Sequence, residues 1–131
     1  MSRDDIQLSA AQLDVMRALW ELGEASTSRV VERVAARRNL AYTTVATMLS
    51  RLEKRGVVSS RQEGRDKIYR PLVTEARVRN SMVSALVSRL FRGDPAALVS
   101  HLVRHEDIGE DELARVRELL SREGGADDAD E

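Results

Sequence analysis

The chain contains 131 residues, with 21 basic and 22 acidic side chains, a net charge of −1 and no cysteine. This length suits one domain or two small ones. The lack of cysteine excludes disulfide scaffolds and thiolate metal sites. No apolar run reaches the roughly 18 residues of a membrane span, and the N-terminus lacks the apolar core of a secretory signal. We therefore expect a soluble, cytoplasmic protein that does not insert into a membrane.

Charge is distributed unevenly along the chain. Residues 1–73 hold 13 cations and 9 anions, whereas residues 74–131 hold 8 cations and 13 anions. The excess is concentrated between Arg29 and Arg70, where 11 cations are accompanied by four anions. A surface of this charge attracts a polyanion such as nucleic acid. An isolated basic stretch is more often an ordinary solvated surface, so charge alone leaves both interpretations open.

The first predicted helix spans residues 10–22. Ser9 and Gln12 have the spacing of a capping box, and Gly23 follows the last helical residue. Between these signals, apolar residues recur at helical spacing: Leu13, Met16, Leu19 and Trp20. The pattern predicts an amphipathic helix that buries one face in a core.

Two more helices are predicted before residue 57. Residues 26–28 offer caps for a second helix that ends near Arg38. Its apolar stripe consists of Val30, Val31, Val34 and Ala35. A third helix begins near Ala41 and ends at Gly56, a residue typical of a C-terminal cap. Its buried face is predicted to contain Val45, Met48, Leu49 and Leu52.

The periodicity then changes from 3.6 to 2, which indicates a β-hairpin. Val57–Arg61 and Lys67–Arg70 are predicted strands, joined by a turn over Gln62–Asp66 that contains Gly64. Pro71 ends the hairpin. Three helices followed by a hairpin with a basic tip are typical of a winged helix-turn-helix.

Beyond residue 73 the sequence predicts three further helices, over residues 74–91, 96–105 and 110–122, with a break at residues 93–95. These modest helices cannot bury all their apolar stripes against one another, so we expect a second copy of the chain to cover them. The residues predicted to form this homodimer interface are Met82, Leu86, Leu90, Leu98, Leu102, Leu113, Val116 and Leu120.

The predicted fold is therefore mainly α with a small β-hairpin. A winged helix-turn-helix DNA-binding domain occupies residues 1–73, and a helical dimerisation domain occupies residues 74–123. Residues 124–131 are small and acidic with nothing to bury, so they are predicted to be disordered.

The solvent face of the third helix carries the candidate DNA-binding residues. Thr43, Thr47 and Ser50 fall opposite the apolar stripe. Short side chains let a helix backbone lie deep in the major groove, and Thr offers a hydroxyl to bases and a methyl group to thymine. Such a face is by itself more often plain surface, but its position in a basic segment before a basic hairpin favours DNA. Further DNA contacts are predicted for Tyr42, Arg51, Lys54, Arg61, Arg65 and Lys67.

Four segments of the chain carry a family resemblance: LSAAQLDVMRALWELGEASTSRVVERV, LAYTTVATMLSRLEKRGVV, GRDKIYRPLV and ALVSHLVRHEDIGEDELARVRELL. They resemble the BlaI/MecI family of penicillinase and methicillin-resistance repressors, and the second segment, the third-helix stretch, is the most specific. The resemblance implies a homodimeric winged-helix repressor on an inverted-repeat double-stranded DNA operator with TACA/TGTA-like half-sites. It further implies operator contacts from Thr43, Thr44 and Thr47, with Arg65 of the wing over the DNA backbone.

The resemblance also implies a way of relieving repression. Members of the family are cut in the dimerisation region after a membrane-bound sensor with a zinc protease domain detects a β-lactam. That sensor protease, or a protease downstream of it, is therefore an expected partner. The corresponding bond here is His101–Leu102, where staphylococcal members have Asn-Phe. Those members also have Lys in place of Thr43 and Arg in place of Ala46, so a different operator sequence stays open.

Other functions are weighed against this one. His101 and His105 at i and i+4, beside Glu106, form half of a metal site, but a solvated or partner-facing role fits them better, and no metal or cofactor is expected. A repressor that answers to a metal and a winged protein-interaction module are the alternatives. An enzyme is not expected, because the chain has no cysteine, no glycine-rich phosphate loop and no nucleophilic serine motif.

Overall fold

The computed structural model describes residues 5–130, with side chains described up to residue 122. Within this range the chain forms six α-helices and three short β-strands, which confirms the mainly α fold. The chain divides into two compact units between Ser84 and Ala85. The elements, in chain order, are α1 (Ala10–Leu22), β1 (Ala25–Ser26), α2 (Thr27–Val34), α3 (Tyr42–Lys54), β2 (Val58–Glu63), β3 (Asp66–Pro71), α4 (Glu75–Leu90), α5 (Pro95–His105) and α6 (Glu110–Asp130).

Helix α1 has the predicted bounds and the predicted capping box. The Ser9 Oγ accepts a hydrogen bond from the backbone N–H of Gln12 at 3.1 Å, and the Ser9 N–H donates to the Gln12 side-chain oxygen at 2.9 Å. The two bonds satisfy donors that a helix start leaves unpaired. Four α1 residues are buried: Val15, Met16, Ala18 and Leu19.

Helix α2 is shorter than predicted. It starts after the N-cap Ser26 but ends at Val34 instead of near Arg38. The N–H groups of Arg37 and Arg38 both donate to the Val34 carbonyl, at 2.8 and 2.9 Å, so the chain turns away from the helix axis there. Ala35, assigned to the apolar stripe, is consequently exposed.

Helix α3 is positioned by its apolar face. Val45, Leu49 and Leu52 are buried and Met48 is half-buried, as predicted. The N-cap Ala41 makes no side-chain capping bond, so packing rather than capping stabilises this helix. Gly56 follows it with φ 79°, a conformation that favours glycine.

The sheet is larger than predicted, because the two-residue strand β1 joins the hairpin. It pairs antiparallel with β3, giving the order β1-β3-β2. Two residues are too few to show an alternating pattern, so periodicity does not indicate this strand. The predicted turn over Gln62–Asp66 is also corrected, since the strands pair as far as Glu63 and Asp66 and leave only Gly64 and Arg65 between them.

The first unit has a closed apolar core. It combines the buried faces of the first three helices with Val58, Tyr69 and Val78. The segment before α1 also belongs to it, because Ile6 and Leu8 are buried. Sequence periodicity did not identify these two residues, since they precede any regular element.

The first unit extends beyond the boundary predicted at residue 73. Val78 of α4 is buried in its core and Met82 packs against that core. The Ser81 Oγ accepts a hydrogen bond from the Ile6 N–H at 2.6 Å, which ties α4 to the N-terminal segment. Met82, predicted for the dimer interface, is half-buried and packs against the first unit's core. The break at Pro71, which suggested the earlier boundary, ends the strand but not the unit.

The second unit consists of helical segments without a closed core. The N-cap Asp94 accepts from the Ala96 N–H at 3.0 Å, and Pro95 occupies the first turn of α5, as the predicted break indicated. None of the residues 85–122 is buried.

Helix α6 continues past its predicted end at residue 122 to Asp130. The disorder of residues 124–131 stays a prediction, because their small and acidic side chains offer nothing to bury. Glu131 lies outside the described residues.

Candidate nucleic-acid interface

The outward face of α3 is a row of small hydroxyl side chains. Thr43, Thr44, Thr47 and Ser50 are all exposed, while the opposite face holds the helix in the core. Tyr42 begins the helix and is 54% exposed. A helix with this face can enter a major groove without steric obstruction.

Salt bridges with helix α1 neutralise part of the basic segment. Arg33 and Arg37 reach the carboxylate of Glu21 at 3.3 and 3.4 Å. Arg38 reaches Asp14 at 3.0 Å. These cations are paired with acids that lie before the basic segment in the sequence, so counting charge between Arg29 and Arg70 overestimated the positive surface available to DNA.

The remaining cations of that segment are concentrated on α3 and the hairpin, which we call the wing (residues 58–71). Two cations of the segment form hydrogen bonds with neutral oxygens. Arg55 donates to the Gln7 carbonyl at 2.8 Å, and Arg70 donates to the Ser59 Oγ at 3.1 Å. The side chains that form no ion pair or hydrogen bond with another described residue are Arg29, Arg51, Lys54, Arg65 and Lys67. Four of these five belong to α3 or the wing. Unpaired cations are the groups that phosphates can bind without breaking an existing contact.

The strand register separates the two wing cations Arg61 and Lys67. Lys67 is opposite Gln62, on the face that also carries Tyr69 and the core. Arg61 is opposite Ile68, on the other face. Arg65 is at the tip, in the two-residue turn, where Gly64 has φ 62°.

Arg61 is held by two carboxylates. Its guanidinium donates to both oxygens of Glu24 at 2.8 and 2.9 Å and to Glu63 at 2.7 Å. The hydrogen bond from Arg61 lowers the pKa of Glu24 below its usual 4.5, and the bonds to Glu24 and Glu63 raise the pKa of Arg61. The structure thus places Arg61 as a link between the wing and the residue before β1, not as an unpaired phosphate ligand.

A second link to the wing was missed by sequence reasoning. The Ser60 hydroxyl donates to the Glu53 carboxylate at 2.6 Å, joining the last turn of α3 to β2. Tyr69 is the partner of Ser60 in the neighbouring strand, and burial, followed by the charge of Glu53, raises its pKa above 10.0. No local pattern marks Glu53 or Ser60, because only the packing of the hairpin on α3 brings them together.

The two histidine rings lie side by side at a tilt of 39°. The ring centroids of His101 and His105 are 4.6 Å apart, and Phe91 meets His101 edge-on at 5.6 Å. Within the described residues, no cluster of three or more His, Cys, Asp or Glu side chains could hold a metal ion. The candidate scissile bond, His101–Leu102, lies inside helix α5.

Seven of the eight predicted dimer residues lie in the second unit, and none of these seven side chains is buried. Leu98 is half-buried. The exposed ones are Leu86, Leu90, Leu102, Leu113, Val116 and Leu120. In the part of the chain that the structure describes, no helix is long and apolar enough to cross a membrane.

Comparison with known proteins identifies relatives of this chain. The family model described as penicillinase repressor matches residues 8–122. The transcriptional regulator BlaI of Mycobacterium tuberculosis is 38% identical over 109 residues, covering 82% of this chain and 78% of that protein. The methicillin resistance regulatory protein MecI of Mammaliicoccus sciuri is 25% identical over 122 residues, covering 93% of this chain and 99% of that protein. The monomeric BlaI of Bacillus licheniformis, solved with the blaP half-operator, is 32% identical with a TM-score of 0.48, covering 56% of this chain and 89% of that one.

Proposed function

This chain belongs to the penicillinase repressor family, which consists of DNA-binding transcriptional repressors and not of enzymes, and we propose the following mode of repression for it. It acts in the cytoplasm as a homodimer on an inverted-repeat operator, and proteolysis in its second unit ends repression. The observation that carries this proposal is the coincidence of the hydroxyl face of α3 with the unpaired cations of α3 and the wing. The family-model match itself confirms the repressor predicted from the sequence.

Helix α3 reads the operator in the major groove. Thr43, Thr44 and Thr47 face the bases, where threonine methyl groups can contact thymine and hydroxyls can bond base edges. Tyr42, Ser50, Arg51 and Lys54 contact the DNA near the groove walls, and Arg65 and Lys67 contact phosphates from the wing. TACA/TGTA-like half-sites, which contain thymine on both strands, suit this arrangement.

A second copy of the chain covers the apolar surface of the second unit. Leu90 and Leu120 are 69% and 66% exposed, and seven other large apolar side chains, one at residue 86 and six between residues 99 and 119, are also exposed. So many exposed large apolar side chains within one unit are typical of an interface between subunits. Two joined copies present two α3 helices to half-sites about one helical turn apart.

Cleavage at His101–Leu102 breaks this interface. The cut separates residues 102–131, which include α6 with its exposed Leu113, Val116 and Leu120. Because the bond lies within α5, the helix must open locally before a protease can bind it. A membrane-bound sensor protease, or a protease downstream of it, makes the cut. The names of the relatives support genes for β-lactam resistance as targets.

The test is footprinting and quantitative gel shift on the DNA upstream of the gene that encodes the chain. Thr47→Ala should lower affinity for the footprinted operator by about tenfold, from about 1–3 kcal/mol of lost base discrimination, with little change for scrambled DNA. Arg65→Ala should weaken binding to both duplexes alike and reduce the salt slope by about one.

Arg104→Ala is the matched control, because it removes an exposed cation that belongs to α5 and not to α3 or the wing. Affinity of this variant should equal that of the parent. If the parent binds operator and scrambled DNA equally at moderate salt, the proposed function is wrong. If Thr47→Ala matches the parent, the assignment of the reading face is wrong.

A further inference from the structure

A short hydrogen bond connects the reading helix to the wing. The Ser60 Oγ donates to the Glu53 Oε2 at 2.6 Å in a part-buried position. Glu53 precedes the last residue of α3, and Ser60 is the third residue of β2. A hydroxyl bonded to a carboxylate at this length is a charge-assisted bond, which is stronger than a bond between neutral groups.

This bond lies where a small rotation has a large effect. The chain between the two elements is only residues 55–57, and Arg65 is five residues beyond Ser60. At about 3.4 Å per strand residue, the end of β2 at Glu63 is roughly 10 Å from Ser60, and Arg65 lies beyond it in the turn. A slight tilt of the hairpin about its base would move the Arg65 and Lys67 side chains away from phosphates while α3 stays in the groove.

Glu53 has no evident use in direct DNA binding. Its carboxylate repels phosphates, and the exposed hydroxyl face of α3 does not include it, since Glu53 is half-buried against the wing. Its hydrogen-bond partner in the described residues is Ser60. The adjacent Ser59 accepts instead from Arg70 at 3.1 Å, on the opposite face of β2.

We propose that Glu53 is a positioning residue that sets the angle of the wing relative to α3 through Ser60, and so raises the preference for operator over other duplexes. The inference rests on the proposed function, because it assigns the role of this bond in operator recognition. With the bond formed, base contacts by α3 and phosphate contacts by the wing occur together. Without it, the wing contacts phosphates in many orientations that bear no relation to the groove that α3 reads.

The experiment measures dissociation constants for operator and for a scrambled duplex of equal length, at several salt concentrations, on the full chain. Glu53→Ala and Ser60→Ala each remove the bond, and each should lower the operator-to-scrambled preference about fivefold. The double variant should lose no more than either single variant, because the two residues act through one contact. Glu53→Gln keeps an oxygen that accepts the Ser60 hydroxyl, so its preference should remain within about twofold of the parent.

Ser59→Ala is the matched control, with a preference equal to that of the parent. A merely structural role would lower the fraction of active protein for both duplexes and leave the ratio of their dissociation constants unchanged. The proposal is overturned if Glu53→Gln and Glu53→Ala tighten binding to both duplexes equally, since Glu53 would then act only as a negative charge. It is also overturned if Ser60→Ala behaves like Ser59→Ala. A parent without operator preference overturns the proposed function as well, whereas a selective parent with equally selective variants overturns this inference alone.

Discussion

The two units use the same apolar periodicity with different results. In the first unit, the stripes of α1, α2 and α3 meet one another and the sheet, so that Leu19, Leu49 and Val30 are fully buried. In the second unit, α5 and α6 carry stripes of similar spacing, yet no residue from 85 to 122 is buried. A periodic stripe therefore shows that a helix has a face to cover, but not whether its own chain covers it.

The two units differ because their apolar stripes have different surfaces to pack against. The first unit places helices against a three-stranded sheet, which supplies a second apolar layer. The second unit has no strand among its described residues, and its large apolar side chains stay in water unless another chain covers them. We expect substitutions in the first unit to change folding, and substitutions in the second to change association.

The largest effect is expected in the core of the first unit. Leu19→Ala leaves a cavity beside fully buried neighbours, so the free energy of unfolding should fall by about 2–5 kcal/mol. Urea denaturation of the full chain at fixed concentration measures this loss. Leu72→Ala is the control, since Leu72 is 48% exposed, and its effect should be within about 0.5 kcal/mol. Equal losses in the two variants would contradict the closed core.

An intermediate effect is expected on the exposed face of α6. Val116→Asp puts a charge into the proposed dimer interface and should raise the dimer dissociation constant by about thirtyfold or more, equivalent to about 2 kcal/mol. Analytical ultracentrifugation over a concentration series measures it. Ser121→Asp adds the same charge at an exposed polar position of α6 and should leave the dimer intact. A parent that sediments as a monomer at working concentrations would remove the distinction between the units.

The smallest effect is a pH dependence of the first unit. The pKa of Glu24 is lowered by its hydrogen bond from Arg61, so this pair stabilises the fold above pH 4.5 and loses its contribution as the pH falls through the lower folded-state value. Thermal unfolding should show Glu24→Gln slightly less stable than the parent at about pH 6, with the difference vanishing at about pH 3. A difference that stays constant over this range would show that the effect does not come from ionised Glu24.

Most of the regular structure was predictable from short-range patterns. The capping box at Ser9, the stripe of α3 and the break before Pro95 depend on neighbours within a few residues, and each appears as predicted. The predicted end of α2 was wrong, because no residue from 35 to 38 prevents a helix from continuing. The turn between the strands was too long in the prediction, since alternation weakens at the polar tip of a hairpin.

The candidate interface was predictable in its helix but only partly in its wing. The hydroxyl face of α3 follows from counting positions around a helix. The state of each cation does not, since Glu24 and Glu63 reach Arg61 only in the folded chain. The packing of Met82 against the first unit's core likewise depends on contacts between elements far apart in the chain.

By itself, the order of the amino acids determined which segments become helices and strands, which face of each is apolar, and that the α3 surface is small and hydroxylated. These properties follow from backbone geometry and from interactions between residues a few positions apart. Tertiary structure alone decided which arginines are neutralised by α1, that β1 completes the sheet, and that Glu53 meets Ser60. Such contacts depend on the distances between elements far apart in the chain, which periodicity does not encode.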